Sequence, residues 1–319
     1  MKKSLLFIAI LSFAAGKMTA QDEAIFNHYI VNPTLINPAY AGSTDKFQIF
    51  GHYRAQFSDF KDAPRTYNVS FNGPIAEKVG LGAMVLSEKY GVMDRLRAQL
   101  SYAYHYVNEK KGVKIGVGFS TEFHQRKLDP SVLSNVFYDK GDRIVETNIR
   151  NESFFDATLG AYADFGDKFY VSLSSPNLVR ARVGTTDGDS VKSDPTFLRQ
   201  FVLWTGYRYK MDKITLEPSL QMRRVLNAPF EVDLNLMARF LDDKFVAGFT
   251  FRPGPTGAFG ITAGVRESFF QIYYSYNASL AEVNAYGKQA HEITLGIEFA
   301  KGSKDKTSPT EKKKKRYKN

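Results

Sequence analysis

Histidine is the side chain in this sequence best suited to acid–base chemistry near neutral pH and to metal binding. The chain contains five histidines, and nothing in their sequence spacing places them within reach of each other. The absence of cysteine excludes disulfides, thiolate metal sites and cysteine nucleophiles. We therefore expect no catalytic residue, no metal site and no cofactor. The histidines are His28, His52, His105, His124 and His291.

Motifs of the common enzyme classes are also missing. The sequence has no G-x-S-x-G, H-E-x-x-H or Walker loop. Residues 186–190 (Thr-Asp-Gly-Asp-Ser) alternate oxygen-bearing side chains like part of a calcium loop. They lack the spacing of a full loop, so a surface turn is the simpler interpretation. The sequence therefore predicts a protein that is not an enzyme.

Polar and apolar side chains alternate along most of the chain, most clearly in residues 291–299. A β-strand points successive side chains to opposite faces, so such a segment has one apolar and one polar face. An aqueous protein buries the apolar face, whereas an outer-membrane barrel shows it to lipid and keeps the polar face inside. In 291–299 the apolar side chains are Ile293, Leu295, Ile297 and Phe299, and the other face holds Glu292, Thr294, Gly296 and Glu298.

Fourteen segments can be interpreted as strands. Pro218 lies inside one of them and lacks a backbone N–H, which predicts a bulge or a local irregularity. The segments are 46–57, 65–73, 79–88, 94–107, 113–124, 154–164, 168–174, 197–209, 213–223, 229–240, 244–252, 258–266, 269–277 and 291–299.

The connectors between these segments distinguish a barrel from a soluble β-sandwich. The long connectors 125–153, 175–196 and 278–290 all follow odd-numbered strands, and no connector after an even-numbered strand exceeds five residues. A membrane barrel has short periplasmic turns and longer outer loops, while a sandwich has no reason to sort its loops. We therefore predict an all-β fold, a transmembrane antiparallel β-barrel of about 14 strands in the cell outer membrane.

The polar faces of the predicted strands carry charges of both signs. They can form compensating pairs that fill the barrel, or they can line an ion-selective pore. The predicted lumen-facing charges are Arg95, Arg97, Lys114, Glu122, Glu217, Arg223, Glu231, Asp233, Arg239, Glu292 and Glu298.

The ends of the chain differ from its body. Residues 1–20 have a basic start and a short apolar run, as in a signal peptide. The barrel should occupy 46–300. Residues 301–319 contain nine Lys or Arg and two Asp or Glu, so they should form a basic disordered tail. Because the remaining body is neutral, we expect no nucleic-acid partner.

Residues 21–45 do not fit a regular strand. The pairs Asn32-Pro33 and Asn37-Pro38 favour turns, and Gly42 permits a positive φ. The segment is also too apolar to stay solvated. We therefore expect an ordered periplasmic or lumen-plugging element, with a disordered leader as the alternative.

A distinctive run begins with Asn37-Pro38-Ala39-Tyr40-Ala41-Gly42. It continues through 53–57 (Tyr-Arg-Ala-Gln-Phe), 63–66 (Ala-Pro-Arg-Thr) and 80–82 (Gly-Leu-Gly). With these residues the chain resembles the PorP/SprF family, outer-membrane proteins of the type IX secretion and gliding systems of Bacteroidetes. The family-motif positions are Asn37, Pro38, Ala39, Tyr40, Gly42, Arg54, Gln56, Pro64 and Thr66.

The resemblance implies a barrel that joins periplasmic or lipoprotein components of this machinery to a secreted or surface adhesin. A general porin or ligand-transport channel is the alternative function. Lys312, Lys313, Lys314, Lys315 and Arg316 are candidate contacts for an anionic periplasmic partner, such as peptidoglycan carboxylates. The same run can instead be a solvated charge run.

Overall fold

The computed structural model describes residues 26–57, 62–134, 152–183, 200–225, 230–254, 257–280 and 289–300. Its strands are β1 (Lys46–Gln56), β2 (Arg65–Pro74), β3 (Val79–Tyr90), β4 (Met93–Asn108), β5 (Val113–Leu128), β6 (Glu152–Phe165), β7 (Phe169–Ser175), β8 (Ala181–Arg182), β9 (Phe201–Tyr207), β10 (Tyr209–Lys210), β11 (Ile214–Arg224), β12 (Glu231–Phe240), β13 (Phe245–Arg252), β14 (Ala258–Arg266), β15 (Phe270–Ser279) and β16 (Gln289–Ala300).

The strands form a closed antiparallel barrel. Each long strand pairs with its neighbours in the sequence, and β1 pairs with β16 from Lys46–Ala300 to Gln56–Ala290. Fourteen strands make up the wall, as predicted. The two-residue strand β8 pairs with β6, and β10 continues β9 beyond Arg208. The pairing of β1 with β16 leaves no edge strand among the described residues, and a lipid environment requires such closure.

The break between β9 and β10 lies opposite Pro218. β11 pairs with the two segments in one register, through Ser219–Gly206 on one side and Leu216–Tyr209 on the other. Pro218 falls between these pairs and has no N–H to donate, so the ladder is interrupted there. The predicted irregularity is therefore an interruption of the neighbouring strand and not a bulge in β11, which stays in register with β12.

The two ends of the barrel differ in their connectors. One end, here called the turn end, has the short connectors 75–78, 109–112, 166–168, 211–213, 241–244 and 267–269. The opposite end, here called the loop end, carries the long connectors 129–151 and 176–200. Short turns face the periplasm in outer-membrane barrels. The strands β3 to β6 extend further toward the loop end than predicted, because strand pairing continues through polar residues such as Lys89 and Arg126.

Side chains alternate between the lumen and the outer face. On β12, Asp233 is 2% exposed and Leu234 is 46% exposed. The outer face is apolar and rich in aromatic residues, for example Tyr67, Phe119 and Phe249, which are all exposed. Lipid covers such a face in a membrane barrel. Within the described ranges, no helix is both long and apolar enough to span a membrane.

Residues 26–45 lie inside this wall. They contain three single-turn 3₁₀ helices, η1 (His28–Ile30), η2 (Pro33–Leu35) and η3 (Pro38–Tyr40). Asn32 and Asn37 precede the prolines with non-helical backbone angles, so each Asn-Pro pair starts a turn as the sequence predicts. The turns shorten the segment within the lumen.

Candidate functional site in the barrel lumen

The N-terminal segment 26–45 descends through the lumen from the loop end to the turn end. The Asn27 amide donates to Asn277, near the loop end of β15. At the other extreme, the Ser43 carbonyl accepts a hydrogen bond from Lys114, where β5 begins at the turn end. The segment thus fills the long axis of the barrel before it enters β1.

Glu292 on β16 holds the first helix, η1. Its Oε2 accepts the Asn27 N–H at 2.9 Å and its Oε1 accepts the His28 N–H at 3.0 Å. These are backbone donors at the start of η1, which have no partner within the helix. The Arg54 guanidinium on β1 lies 3.1 Å from Glu292 Oε2. Glu292 is 0% exposed, so its charge is balanced inside the protein.

A chain of side-chain hydrogen bonds links His28 to His52. The Nδ1 atoms of both rings lie 2.6 Å from Thr294 Oγ1. The Asn32 amide lies 3.1 Å from His52 Nε2, and Ser275 Oγ lies 2.6 Å from His28 Nε2. With Nδ1 protonated in His52 and Nε2 protonated in His28, two neutral rings satisfy every one of these contacts.

The side chains of His28, His52 and Glu292 each have a potential metal-ligand atom, and these three atoms lie within 4.8 Å of one another. Their nitrogen and oxygen atoms already have protein partners. The Arg54 guanidinium already neutralises Glu292, and its positive charge would repel a metal cation at the same place. We therefore interpret the cluster as a hydrogen-bonded anchor for the segment. Sequence reasoning missed it, because His28 and His52 meet only through β16.

Asn37 anchors the middle of the segment. Its side-chain oxygen accepts the Ala39 N–H at 2.8 Å and caps η3. Its Nδ2 donates to Ser172 Oγ and to the Ala161 carbonyl, both at 2.9 Å. One motif side chain therefore starts the turn and fixes it to the wall at β6 and β7.

Glycines on the wall allow η3 to approach the backbone. A Cβ at Gly118 would lie 2.7 Å from Ala39 Cα. A Cβ at Gly80 would clash with the Ala41 carbonyl oxygen. Ala39 and Ala41 are fully buried, so their small side chains fit the same contact. Gly42 has the positive φ, 63°, that its residue type permits.

Aromatic side chains pack the segment against β6, β7 and β9. The Tyr40 and Tyr162 rings stack with centroids 4.3 Å apart. Tyr29 meets Trp204 edge to face at 5.7 Å, and its hydroxyl accepts a hydrogen bond from Asn235 at 2.8 Å. Trp204 is the single tryptophan of the chain. Its fluorescence therefore reports whether the segment is bound in its place in the lumen, a state here called seating.

The other motif residues lie on β1, β2 and their connector. Pro64 and Gln56 form a backbone hydrogen bond of 2.9 Å at the loop end. Thr66 is buried on β2, where its hydroxyl lies 3.4 Å from Glu88. Arg54 alone of these four contacts Glu292, the residue that binds the segment. Lys312–Arg316 and the loop 186–190 lie outside the described residues.

The predicted lumen-facing charges other than Lys114 form compensating pairs, which agrees with the first of the two interpretations above. Lys114 instead donates to a carbonyl, that of Ser43. His105 and His124 also face the lumen, against the Ala41 carbonyl and Glu122. The ion pairs are Arg54–Glu292, Arg95–Glu88, Arg97–Glu122, Arg223–Glu231, Arg239–Glu217, Arg252–Asp233 and Arg266–Glu298.

The described residues line two cavities beside the segment. A lower cavity of about 460 Å³ extends to the turn end, where Lys210 and Asp243 line it. An upper cavity of about 60 Å³ lies between the segment and Arg97 and Arg223. Thr34 of η2 lines both cavities.

Solved structures similar to this chain are outer-membrane barrels and channels. The monoaromatic hydrocarbon channel CymD is 11% identical, with 90% of this chain and 95% of that chain covered and a TM-score of 0.48. Omp33 of Acinetobacter baumannii is 10% identical (80% and 98% covered, TM-score 0.44). The P. putida toluene transporter TodX is 10% identical (84% and 92% covered, TM-score 0.44). At these identities the likeness concerns the fold alone.

A comparison with curated proteins finds no match. The family described as "Type IX secretion system membrane protein PorP/SprF" matches residues 18–297. This match covers most of the chain, including the segment in the lumen and nearly all of the barrel. Together with the closed barrel and its apolar outer face, it places the protein in the outer membrane. The chain belongs to the PorP/SprF family of type IX secretion system membrane proteins.

Proposed function

We propose that this protein is a non-enzymatic component of the type IX secretion or gliding machinery that links periplasmic components to secreted or surface adhesins. The observation that supports this role most directly is the seating of residues 26–45 in the lumen through Glu292, Asn37 and Trp204. An open porin keeps an aqueous channel. A barrel whose lumen is filled by its own chain is less suited to be an open channel than to be a rigid support for partners at its two ends.

The adhesin contact is assigned to the loop end, because binding residues concentrate on loops held by a rigid scaffold. An epitope inserted near Gly184 tests this assignment. We expect antibodies to detect it on intact cells, and we expect the insertion to reduce adhesin display while the barrel still assembles. Detection only after permeabilisation would invert the orientation, and unchanged adhesin display would remove this loop from the contact.

The periplasmic contact is assigned to residues 301–319, which follow β16 at the turn end. Nine positive charges attract an anionic partner over a screening length of about 8 Å at physiological salt. Deleting 301–319 should leave the barrel folded and reduce recovery of periplasmic machinery components in a low-salt pull-down. Equal recovery at every salt concentration would identify the tail as a solvated charge run.

A general porin or ligand channel is the second candidate, and the lower cavity of about 460 Å³ favours it. Conductance in planar bilayers separates the two functions. The machinery role predicts a wild-type protein without large open-channel currents. Large currents from the wild type would favour the porin instead.

A further inference from the structure

We propose that the barrel contains a closed conduit for small hydrated ions, which the Pro33–Leu35 turn of the N-terminal segment blocks. This activity is separate from the machinery role and does not depend on it. The first observation is that Thr34 lines the lower cavity and the upper cavity together. The η2 turn therefore lies between two spaces that extend toward opposite ends of the barrel.

The second observation is a polar track on β11 that runs past this turn. Its lumen-facing residues are, in order, Glu217, Ser219, Gln221 and Arg223. Glu217 lines the lower cavity and Arg223 lines the upper one. The track thus connects the two cavities along a single strand face, with the buried Ser219 and Gln221 at its centre.

Unpartnered polar atoms lie at the centre of this track. Gln221 Nε2 and Trp204 Nε1 have no hydrogen-bond partner among the described residues, and the two side chains are 2% and 3% exposed. They occupy paired positions on β11 and β9. Buried polar groups are otherwise nearly always hydrogen-bonded, so these two donors point to a place for water or a hydrated ion.

The described hydrogen bonds to the wall hold the blocking turn at its two ends. The preceding residues are bound through Glu292 and Thr294, and the residues that follow, Ile36 and Asn37, are bound through Ser174 and Ser172. Within Pro33–Leu35 the described hydrogen bonds are local, such as Thr34 Oγ1 to Asn32 Oδ1 at 2.5 Å. The turn is only half-buried, whereas Asn32 before it and Asn37 beyond it are buried. It can therefore be trimmed without loss of the anchors.

The mouths of the conduit determine which ions pass. Glu217 pairs with Arg239 at the lower mouth, and Arg223 pairs with Glu231 at the upper one. Selectivity comes from charge of one sign around a constriction, and compensated pairs supply little of it. We therefore assign small inorganic cations and anions alike as the permeant class.

Planar-bilayer recordings in potassium chloride test the block. The double variant Thr34→Gly/Leu35→Gly should give single-channel steps, with similar permeability to K⁺ and Cl⁻, where the wild type gives none. Thr44→Gly is the control, because Thr44 lines the lower cavity away from the turn, and it should stay closed. Folding of each variant is checked by heat-modifiable gel migration.

Cysteine labelling gives a second readout, since the natural chain has no cysteine. Ser219→Cys lies on the track, and Ser120→Cys is a buried lumen control away from it, where Ser120 is bonded to Glu122. A small cationic methanethiosulfonate reagent should label Ser219→Cys faster when Thr34→Gly/Leu35→Gly is added, and label Ser120→Cys at an unchanged rate. The proposal requires both results. A conducting wild type, a silent double variant or an unchanged Ser219→Cys rate would each overturn it.

Discussion

Arg54 and Glu292 face each other across the β1–β16 junction and form a buried ion pair of 3.1 Å. The same carboxylate accepts the backbone N–H groups of Asn27 and His28. One side chain therefore contributes to the closure of the barrel and to the seating of the N-terminal segment. Changes at this pair should affect both properties together.

Replacing Glu292 by Gln removes the charge that balances Arg54. Breaking a buried pair by removing one partner costs about 3–5 kcal/mol. We expect Glu292→Gln to lower the free energy of unfolding in urea by about that amount and to shift Trp204 emission to the red. The control is Glu267→Gln, whose exposed pair with Lys244 should be worth about 0–1 kcal/mol. Equal stability of the two variants would contradict the assigned role of Glu292.

The close approach of η3 to the wall predicts an asymmetry between two glycines. Gly118→Ala should cost about 1–3 kcal/mol, because its Cβ overlaps Ala39 and the segment must shift. Gly51→Ala has open space around the new Cβ and should leave urea stability nearly unchanged. The comparison fails if Gly118→Ala unfolds like the wild type and keeps its Trp204 emission.

Seating of the segment should weaken in acid. His28 is buried, and in the neutral arrangement its Nδ1 accepts the Thr294 hydroxyl, a hydrogen bond that protonation would remove. A released His28 in water protonates near 6.5, so its contribution to seating is complete above that pH. The contribution declines as the pH falls below about 6.5, because the released His28 then gains a proton that the seated His28 has no acceptor to receive.

Titration of Trp204 emission from about pH 7.5 to 5 measures this dependence. His28→Gln should flatten the curve, because it removes one titrating group from the anchor. A variant curve as steep as that of the wild type would assign the pH response to other groups.

The assignment of strand faces predicts opposite tolerance of arginine on two surfaces. Leu234→Arg faces lipid and should cost about 2–4 kcal/mol at mid-bilayer depth, which lowers recovery in the membrane fraction. Thr215→Arg faces the lower cavity, which has room for the side chain, and should assemble normally. Asp233→Arg is a poorer control, because Asp233 binds Arg252 through two short hydrogen bonds. Equal recovery of Leu234→Arg and Thr215→Arg would reverse the faces.

Much of the fold could be predicted from alternation, because a period of two assigns each side chain to a face. It placed Asp233 inside and Leu234 outside, and the Asn37-Pro38 pair indicated a turn. The anchor was beyond this reasoning. Asn27 and Glu292 are 265 positions apart, and a face assignment does not say which residues meet at one height in a lumen. His28 had no face assignment, since it precedes the first strand.

The position of the segment's anchors has a consequence for assembly. Residues 26–45 are the first described part of the chain, yet their partners Glu292, Thr294 and Ser275 come from the last two strands. Contacts with large sequence separation form late and slowly. The segment must therefore stay within the curling sheet until β16 arrives to meet β1. We expect barrel closure and segment seating to appear as a single kinetic phase, with Trp204 emission changing at the rate at which the barrel closes.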